Sequence, residues 1–430
     1  MLHVDKADSL QAEQVHITAR ELKVWTCYKL RMTCQHEFGI HASYGVFKSD
    51  SLGIIDLARD EPLRGTYHGV DPMGLFISMT PTSDFPYGEM IKCNKGAPWY
   101  YRLQLLNDSD EVVDNLNLKK HWTHPLITRI NVAQDGFYGT LFKPPGPGPF
   151  PSIIDVPGAN GRLVERTAAA LASEGFLVLT FVYYLQFEDL PKTIPEVDVE
   201  YFERAIEYIL GLSCSNGKIG LYGLSFGGLV ANFMATKFPQ VNAVITVNVF
   251  ESWCQDELVM KEDGKQIPCE IIDEGVSFWK AGVLGMAPSY QKFYENMPKE
   301  HKLPWGRASK STVFRVIACT DDWVMPAVQC ARSIQKDLRE TGHRVEIDII
   351  PGGHLLNPPH FPHHSYMYNK FQDLNWGLGG EVLLHSKSQE TMWKRNVEFY
   401  KRHLGCPPKM PDWNRMQTVV IPKMKLFSRL

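Results

Sequence analysis

Between residues 219 and 237 an apolar run, Ile219 to Tyr222, passes through Gly223-Leu224-Ser225-Phe226-Gly227. It then enters a segment with Leu229, Val230, Phe233 and Met234 at helical spacing. Strand, G-x-S-x-G, helix is the context of a nucleophile elbow. A serine held in a strained turn needs neighbours without a Cβ two residues away on each side, and Gly223 and Gly227 provide them. The same five letters in an ordinary loop lack such flanks. Ser225 is the candidate nucleophile.

A serine hydroxyl is a poor nucleophile at neutral pH and needs a base, which in turn needs an acid to fix its tautomer. Behind an elbow of this kind, acid and then base stand in loops after late strands. The apolar run 312–318 leads into Cys319-Thr320-Asp321-Asp322, and the run 344–350 leads into Pro351-Gly352-Gly353-His354. His354, behind two glycines, is the candidate base. Asp322 is the preferred acid and Asp321 its substitute. His360, His363 and His364 make a tempting H-x-x-H-H, but Pro358, Pro359 and Pro362 break the helix that would align them. With no carboxylate close by, no metal is expected. Developing negative charge on a carbonyl oxygen needs donors. The backbone N–H of Phe226 at the start of its helix is one, and the turn Pro157-Gly158-Ala159-Asn160-Gly161, with Gly158 and Ala159, is expected to supply the other.

Positioning these groups takes a sheet. Strand-like runs at 152–156, 177–184, 219–222, 243–249, 312–318 and 344–350 alternate with helical ones at 163–173, 199–210, 226–237, 327–340 and 389–404. Gly342 and Gly405 are placed to end the last two helices. That alternation predicts a mostly parallel sheet flanked by helices. A hairpin is expected at 128–143 around Gln134-Asp135-Gly136, before the stiff connection Pro144-Pro145-Gly146-Pro147-Gly148-Pro149. Residues 251–311 interrupt the rhythm, rich in lysine and aromatics such as Trp253, Phe278, Trp279 and Tyr290, and are placed to cap the site. Residues 1–126 lack long helical periodicity and read as short strands between turn clusters, an all-β sandwich. The expected organisation is an α/β-hydrolase fold over 127–430, carrying the cap-like insertion 251–311, preceded by the sandwich domain 1–126.

Composition narrows the function classes. A chain of 430 residues calls for two or three domains, and 44% hydrophobic residues suffice for a sizeable core. A formal net charge of −3 with both signs interspersed selects neither nucleic acid nor an anionic membrane surface as partner. The first residues lack a signal-peptide core, no apolar run approaches a membrane span, and nine cysteines occur without a C-x-x-C pair. Reduced thiols in a soluble intracellular protein are expected. The closing Ser428-Arg429-Leu430 is a variant of the S-K-L peroxisomal address. It predicts a peroxisomal import receptor as partner, with the cytosol as alternative location.

The chain also resembles the acyl-CoA thioesterase and bile acid-CoA:amino acid N-acyltransferase family. The resemblance is carried by V-D-P-M-G-L-F (from Val70), G-T-L-F-K-P-P-G-P-G-P-F-P-S-I-I-D (from Gly139) and F-E-D-L-P-K-T (from Phe187). V-E-Y-F-E-R-A (from Val199), G-L-S-F-G-G (from Gly223) and G-G-H-L-L-N-P-P (from Gly352) complete it. It implies a β-sandwich followed by an α/β-hydrolase domain acting on fatty or bile acyl-CoA thioesters, without a cofactor, CoA being part of the substrate. It implies the triad Ser225, Asp322 and His354. Two departures bear on acyl preference: Asn357 and His360 stand where the family usually has Glu and an aromatic, and Trp323-Val324-Met325-Pro326 replaces a polar run. Transferases of the family typically carry cysteine at the elbow, so serine favours thioester hydrolysis over conjugation to glycine or taurine. A carboxylesterase or a non-catalytic binding protein of the same fold are the further alternatives.

Overall fold

A computed structural model describes residues 1–36, 39–82, 97–160, 162–254, 258–269, 271–295, 297–369 and 372–412. Ser428, Arg429 and Leu430 lie outside them, as do Gly161 and Cys93. In the N-terminal region four long strands, β1 (Cys27–His36), β2 (Gly39–Lys48), β3 (Trp99–Leu106) and β4 (Val112–His121), build the middle of a seven-stranded sheet. Alternate residues turn inward, as the two-residue period of a strand requires: Leu30, Met32 and Cys34 of β1, and Tyr101, Leu103 and Leu105 of β3, are buried. A three-stranded sheet of Leu2–Val4, Ile17–Ala19 and Ile55–Asp56 adds Ile17, Ala19 and Ile55 to the same apolar cluster.

A second, eight-stranded sheet begins at Thr128. Its strands are β5 (Thr128–Gln134), β6 (Phe137–Lys143), β7 (Phe150–Val156), β8 (Leu177–Val182), β9 (Ser215–Leu224), β10 (Val241–Val247), β11 (Val313–Cys319) and β12 (Arg344–Ile350). Their spatial order is β5-β6-β8-β7-β9-β10-β11-β12. β5 and β6 form the expected hairpin, with Asp135 and Gly136 at φ 50° and 73° in a two-residue turn. From β8 onward every pairing is parallel. Helices α1 (Arg166–Ser173) and α2 (Val382–Leu404) share an apolar cluster on one side of the sheet with the N-terminal region. Helices α3 (Glu203–Leu210), α4 (Phe226–Lys237) and α5 (Ala327–Glu340) share another on the opposite side. This is the α/β-hydrolase architecture, with an all-β region packed against its α1 and α2 face.

Helix starts depart from the sequence pattern in three places. The stretch 199–210 opens with a 3-10 turn, Val199–Phe202, before α3. α1 starts at Arg166 rather than 163. α2 starts at Val382 rather than 389, because the Glu381 carboxylate accepts the N–H groups of Leu383 (3.0 Å) and Leu384 (2.9 Å) and so caps an extra two turns.

The insertion 251–311 is joined by a second piece that its composition did not announce. Phe278–Lys280 pairs with Val283–Gly285, which pairs in parallel with Leu374–Gly377, itself in a hairpin with Tyr366–Asn369. The cap is thus a small sheet shared between the insertion and the segment that follows His354. Among the described residues no helix is long and apolar enough to cross a membrane. The described cysteines are free thiols, and burial pushes those of Cys34, Cys254 and Cys319 up to about 12, leaving them inert.

Candidate active site

Ser225 connects β9 to α4 with φ 57° and ψ −127°, a conformation that costs a non-glycine residue free energy. The surroundings hold it there. Its N–H donates to the Val247 carbonyl (2.9 Å), and its own carbonyl accepts from Gly228 (2.9 Å) and Leu229 (3.2 Å). The glycine requirement is steric: a Cβ on Gly223 would lie 2.3 Å from the Gly227 oxygen, and one on Gly227 would lie 2.5 Å from the Val156 oxygen. The elbow therefore fits only with its backbone pressed against β7.

The side chains meet as follows. The Ser225 Oγ lies 2.8 Å from His354 Nε2, and His354 Nδ1 lies 2.8 Å from Asp322 Oδ2. The other carboxylate oxygen of Asp322 accepts the N–H groups of Val324 (2.8 Å) and Met325 (3.1 Å), so both lone-pair directions are committed. Asp322 is 1% and His354 6% exposed at the side chain, which removes water as a competitor for these bonds. Asp321 is turned elsewhere: its oxygens accept from Trp323 Nε1 (2.9 Å) and Gly380 N (2.8 Å). Of the two aspartates, only Asp322 touches the imidazole.

On the oxyanion side, Phe226 is the first residue of α4, where an N–H has no intrahelical partner. The 157–159 turn runs beside the elbow, since the Gly227 Cβ direction meets the Val156 and Pro157 carbonyls. Sequence reasoning missed what fixes this turn. The Tyr183 and Tyr184 hydroxyls donate to the carbonyls of Gly158 (2.9 Å) and Ala159 (2.5 Å). Each N–H on the far side of those peptides then points away from its tyrosine. The signal was the tandem tyrosine, absorbed into a strand that in fact stops at Val182.

Asn248 was missed for the same reason. It follows β10 with φ 44°, buried, and its Oδ1 accepts Cys319 N (2.7 Å) while its Nδ2 donates to the carbonyls of His354 (2.7 Å) and Gly353 (3.2 Å). One side chain ties the ends of β10 and β11 to the loop carrying His354. From the other side, His385 of α2 accepts Gly353 N at its Nδ1 (3.1 Å).

The three histidines after His354 are distributed, not gathered. His363 Nε2 meets the Gly380 carbonyl (3.0 Å), and the His364 ring is edge-on to His41 (5.9 Å). His360 is buried with Glu390 3.6 Å from its Nδ1, a carboxylate supplied by α2 where the sequence offered none nearby. That distance is no hydrogen bond, and burial holds the imidazole neutral, down to about 3.

The cap closes on the acid loop: Met286 N and Ala287 N donate to the Trp323 carbonyl (2.8 and 3.0 Å), and Phe278 meets the Trp323 ring edge-on (5.1 Å). Trp253 stands 5.9 Å from Phe226, the residue after Ser225. A cavity of about 450 Å³ lies beside Asp322, bordered by Gln291 of the cap, Met325, Gln329 and Arg332.

Residues 197–406 match the family model described as BAAT / Acyl-CoA thioester hydrolase C terminal, and residues 12–134 match that of the Acyl-CoA thioester hydrolase/BAAT N-terminal region. Acyl-coenzyme A thioesterase 1 of Rattus norvegicus is 30% identical over 401 residues, covering 91% of this chain and 94% of the relative. The peroxisomal succinyl-coenzyme A thioesterase of Mus musculus is 31% identical over 404 residues (91% and 94%). Bile acid-CoA:amino acid N-acyltransferase of Mus musculus is 31% identical over 413 residues (92% and 96%).

Proposed function

The chain belongs to the acyl-CoA thioester hydrolase/BAAT family, and from that premise we propose that it hydrolyses acyl-CoA thioesters with Ser225 as nucleophile, His354 as base and Asp322 as orienting acid. The observation that carries this reading is the continuous hydrogen-bonded array Ser225–His354–Asp322, 2.8 Å at each step.

In the first half-reaction Ser225 Oγ attacks the thioester carbonyl carbon while His354 Nε2 takes its proton. The imidazolium is stabilised by Asp322, whose charge is already steadied by two backbone N–H groups. The carbonyl oxygen becomes an oxyanion, for which the N–H of Phe226 and one from the Gly158–Ala159 turn are the donors. Loss of one such donor costs roughly a hundred- to a thousand-fold in rate. The tetrahedral adduct collapses, the C–S bond breaks, and His354 returns the proton to the CoA sulfur. Water, deprotonated by the same imidazole, then cleaves the acyl ester and releases the acid with Ser225 restored.

Incubation with a panel of acyl-CoAs, with and without glycine or taurine, followed by mass analysis of products tests the reaction. Free acid and CoA are expected; an amide product replaces the reading with acyl transfer. A peroxisomal address at Ser428-Arg429-Leu430 belongs to the same proposal, in keeping with the peroxisomal name of one relative. Loss of organellar import on deleting the three residues is the expected result, and unchanged import removes that part.

A further inference from the structure

The segment that follows His354 leaves the sheet and crosses to the N-terminal region. Phe361, fully buried, sits 5.6 Å from Trp99 and 5.9 Å from Trp122, rings that are themselves edge-on at 5.1 Å. Gln11 Nε2 donates to the His360 carbonyl (2.9 Å), and His363 N donates to the Ile77 carbonyl (2.8 Å). All these partners precede residue 126. From the hydrolase side, Arg166 of α1 donates to Asn357 Oδ1 (2.8 Å) and lays its guanidinium 5.5 Å from the Phe361 ring centre.

We propose that the N-terminal β region is the outer jaw of a clamp on the base-bearing loop, and that Phe361 is a positioning residue acting through that loop on His354. The span between them contains Pro358 and Pro359, whose fixed φ shortens the list of conformations the loop can take. A ring locked at 361 therefore restricts where the backbone at 354 can lie. Asn248 and His385 fix the near end of the loop at Gly353 and His354, and the aromatic box fixes the far end. The catalytic demand is strict, because misplacing a reacting group by an ångström costs about a hundredfold. The clamp deepens the triad reading above and rests on it for its catalytic consequence.

The test uses the full chain with Phe361→Ala, Phe361→Leu, Gln11→Ala and Trp122→Phe. Three quantities are read well below the unfolding temperature: kcat and KM for an acyl-CoA, the rate of fluorophosphonate labelling of Ser225, and the downfield proton resonance of the His354 Nδ1–H bonded to Asp322. Phe361→Ala is expected to lower kcat about ten- to a hundredfold with KM nearly unchanged, to slow labelling, and to weaken the resonance. Phe361→Leu restores most of each, and Gln11→Ala costs a few-fold. A folded Phe361→Ala that melts earlier yet keeps kcat, labelling and resonance overturns the clamp. Should that variant fail to fold, wild-type values in both Gln11→Ala and Trp122→Phe overturn it equally. Loss of the resonance in the variants of a chain that turns over no thioester keeps the clamp and removes the reaction instead.

Discussion

Ser225 and His354 touch each other, yet the two are held by different means. The elbow is secured from within, by backbone: Ser225 bonds to Val247, Gly228 and Leu229, and glycines at 223 and 227 let β7, β9 and α4 close to contact distance. The His354 loop has backbone bonds as well, from His354 N to the Leu378 carbonyl (2.7 Å) and from Asp321 N to that of Gly352 (3.0 Å). It is held besides by side chains sent from distant parts of the chain: Asn248, His385, Arg166 and the Trp99–Trp122 pair. Backbone anchoring is local and survives most side-chain changes other than glycine replacement. Side-chain anchoring is long-range and can be undone one residue at a time.

The largest effects fall where the reacting atoms are. Ser225→Ala is expected to lower kcat by about a million-fold with binding retained, by comparison with the loss of a serine nucleophile elsewhere. Gly227→Ala should abolish activity by a different route, since its methyl meets the Val156 oxygen; intact activity in that variant breaks the picture of a backbone-locked elbow. Next comes the aspartate pair. Asp322→Asn should cost about ten-thousandfold in kcat by disfavouring the required imidazole tautomer. Asp321→Asn, whose carboxylate faces Trp323 and Gly380, should cost a few-fold at most. Equal losses in kinetic assays of the two variants contradict the division of roles.

These two groups of predictions differ in how much of them was legible in the sequence. The elbow was, because its requirements are local: a strand, two glycines and a helix within about twenty residues. The order of strands and helices was legible for a related reason, since parallel strands buried on both faces read as continuous apolar runs. The acid was narrowed to Asp321 or Asp322 with only a slight preference for Asp322 until the resemblance added to it, because neighbours in sequence differ in direction, not in type. Asn248, Tyr183 and Tyr184 were missed because a polar or aromatic residue at a strand end is ordinary until its partner, a hundred residues away in the case of Asn248, is known. Phe361 lay in a stretch singled out for its histidines, whereas the structure uses its phenylalanine.

Asn248 sharpens the comparison from the near end of the loop. Asn248→Ala removes the donor to the His354 carbonyl and the acceptor for Cys319 N, and puts alanine at positive φ. A fall in kcat of about ten- to a hundredfold is expected. Asn248→Asp keeps the acceptor and loses the donor, so a comparable loss in that variant assigns the effect to the base loop, and wild-type kcat assigns it to β11.

The smallest effect is on stability and concerns His385, which bonds Gly353 N and the Leu355 backbone on either side of the base. Burial holds its imidazole neutral, well below the usual histidine range. In the unfolded chain the same group titrates near its ordinary value of about 6.5. Below that pH the unfolded chain binds a proton the fold refuses, so stability contributed by neutral His385 is present above about 6.5 and is lost as pH falls, at about 1.4 kcal/mol per pH unit. Asp155 works in the opposite direction over part of this range. Burial raises it to about 7, so it is protonated in the fold at mild acid and stabilises as pH falls. The net acid profile of the wild type also carries other buried histidines such as His360, lowered by burial in the same direction as His385, but comparison with His385→Gln cancels His360 together with Asp155. Between pH 7.5 and 5.5 the wild type should lose about 1.4 kcal/mol more than the variant in denaturant unfolding. Parallel profiles would mean that His385 is charged in the fold, which is incompatible with a Nδ1 that accepts the Gly353 N–H, and Asn248 would then be left, with the backbone bonds of Gly352 and His354, to hold the near end of the loop.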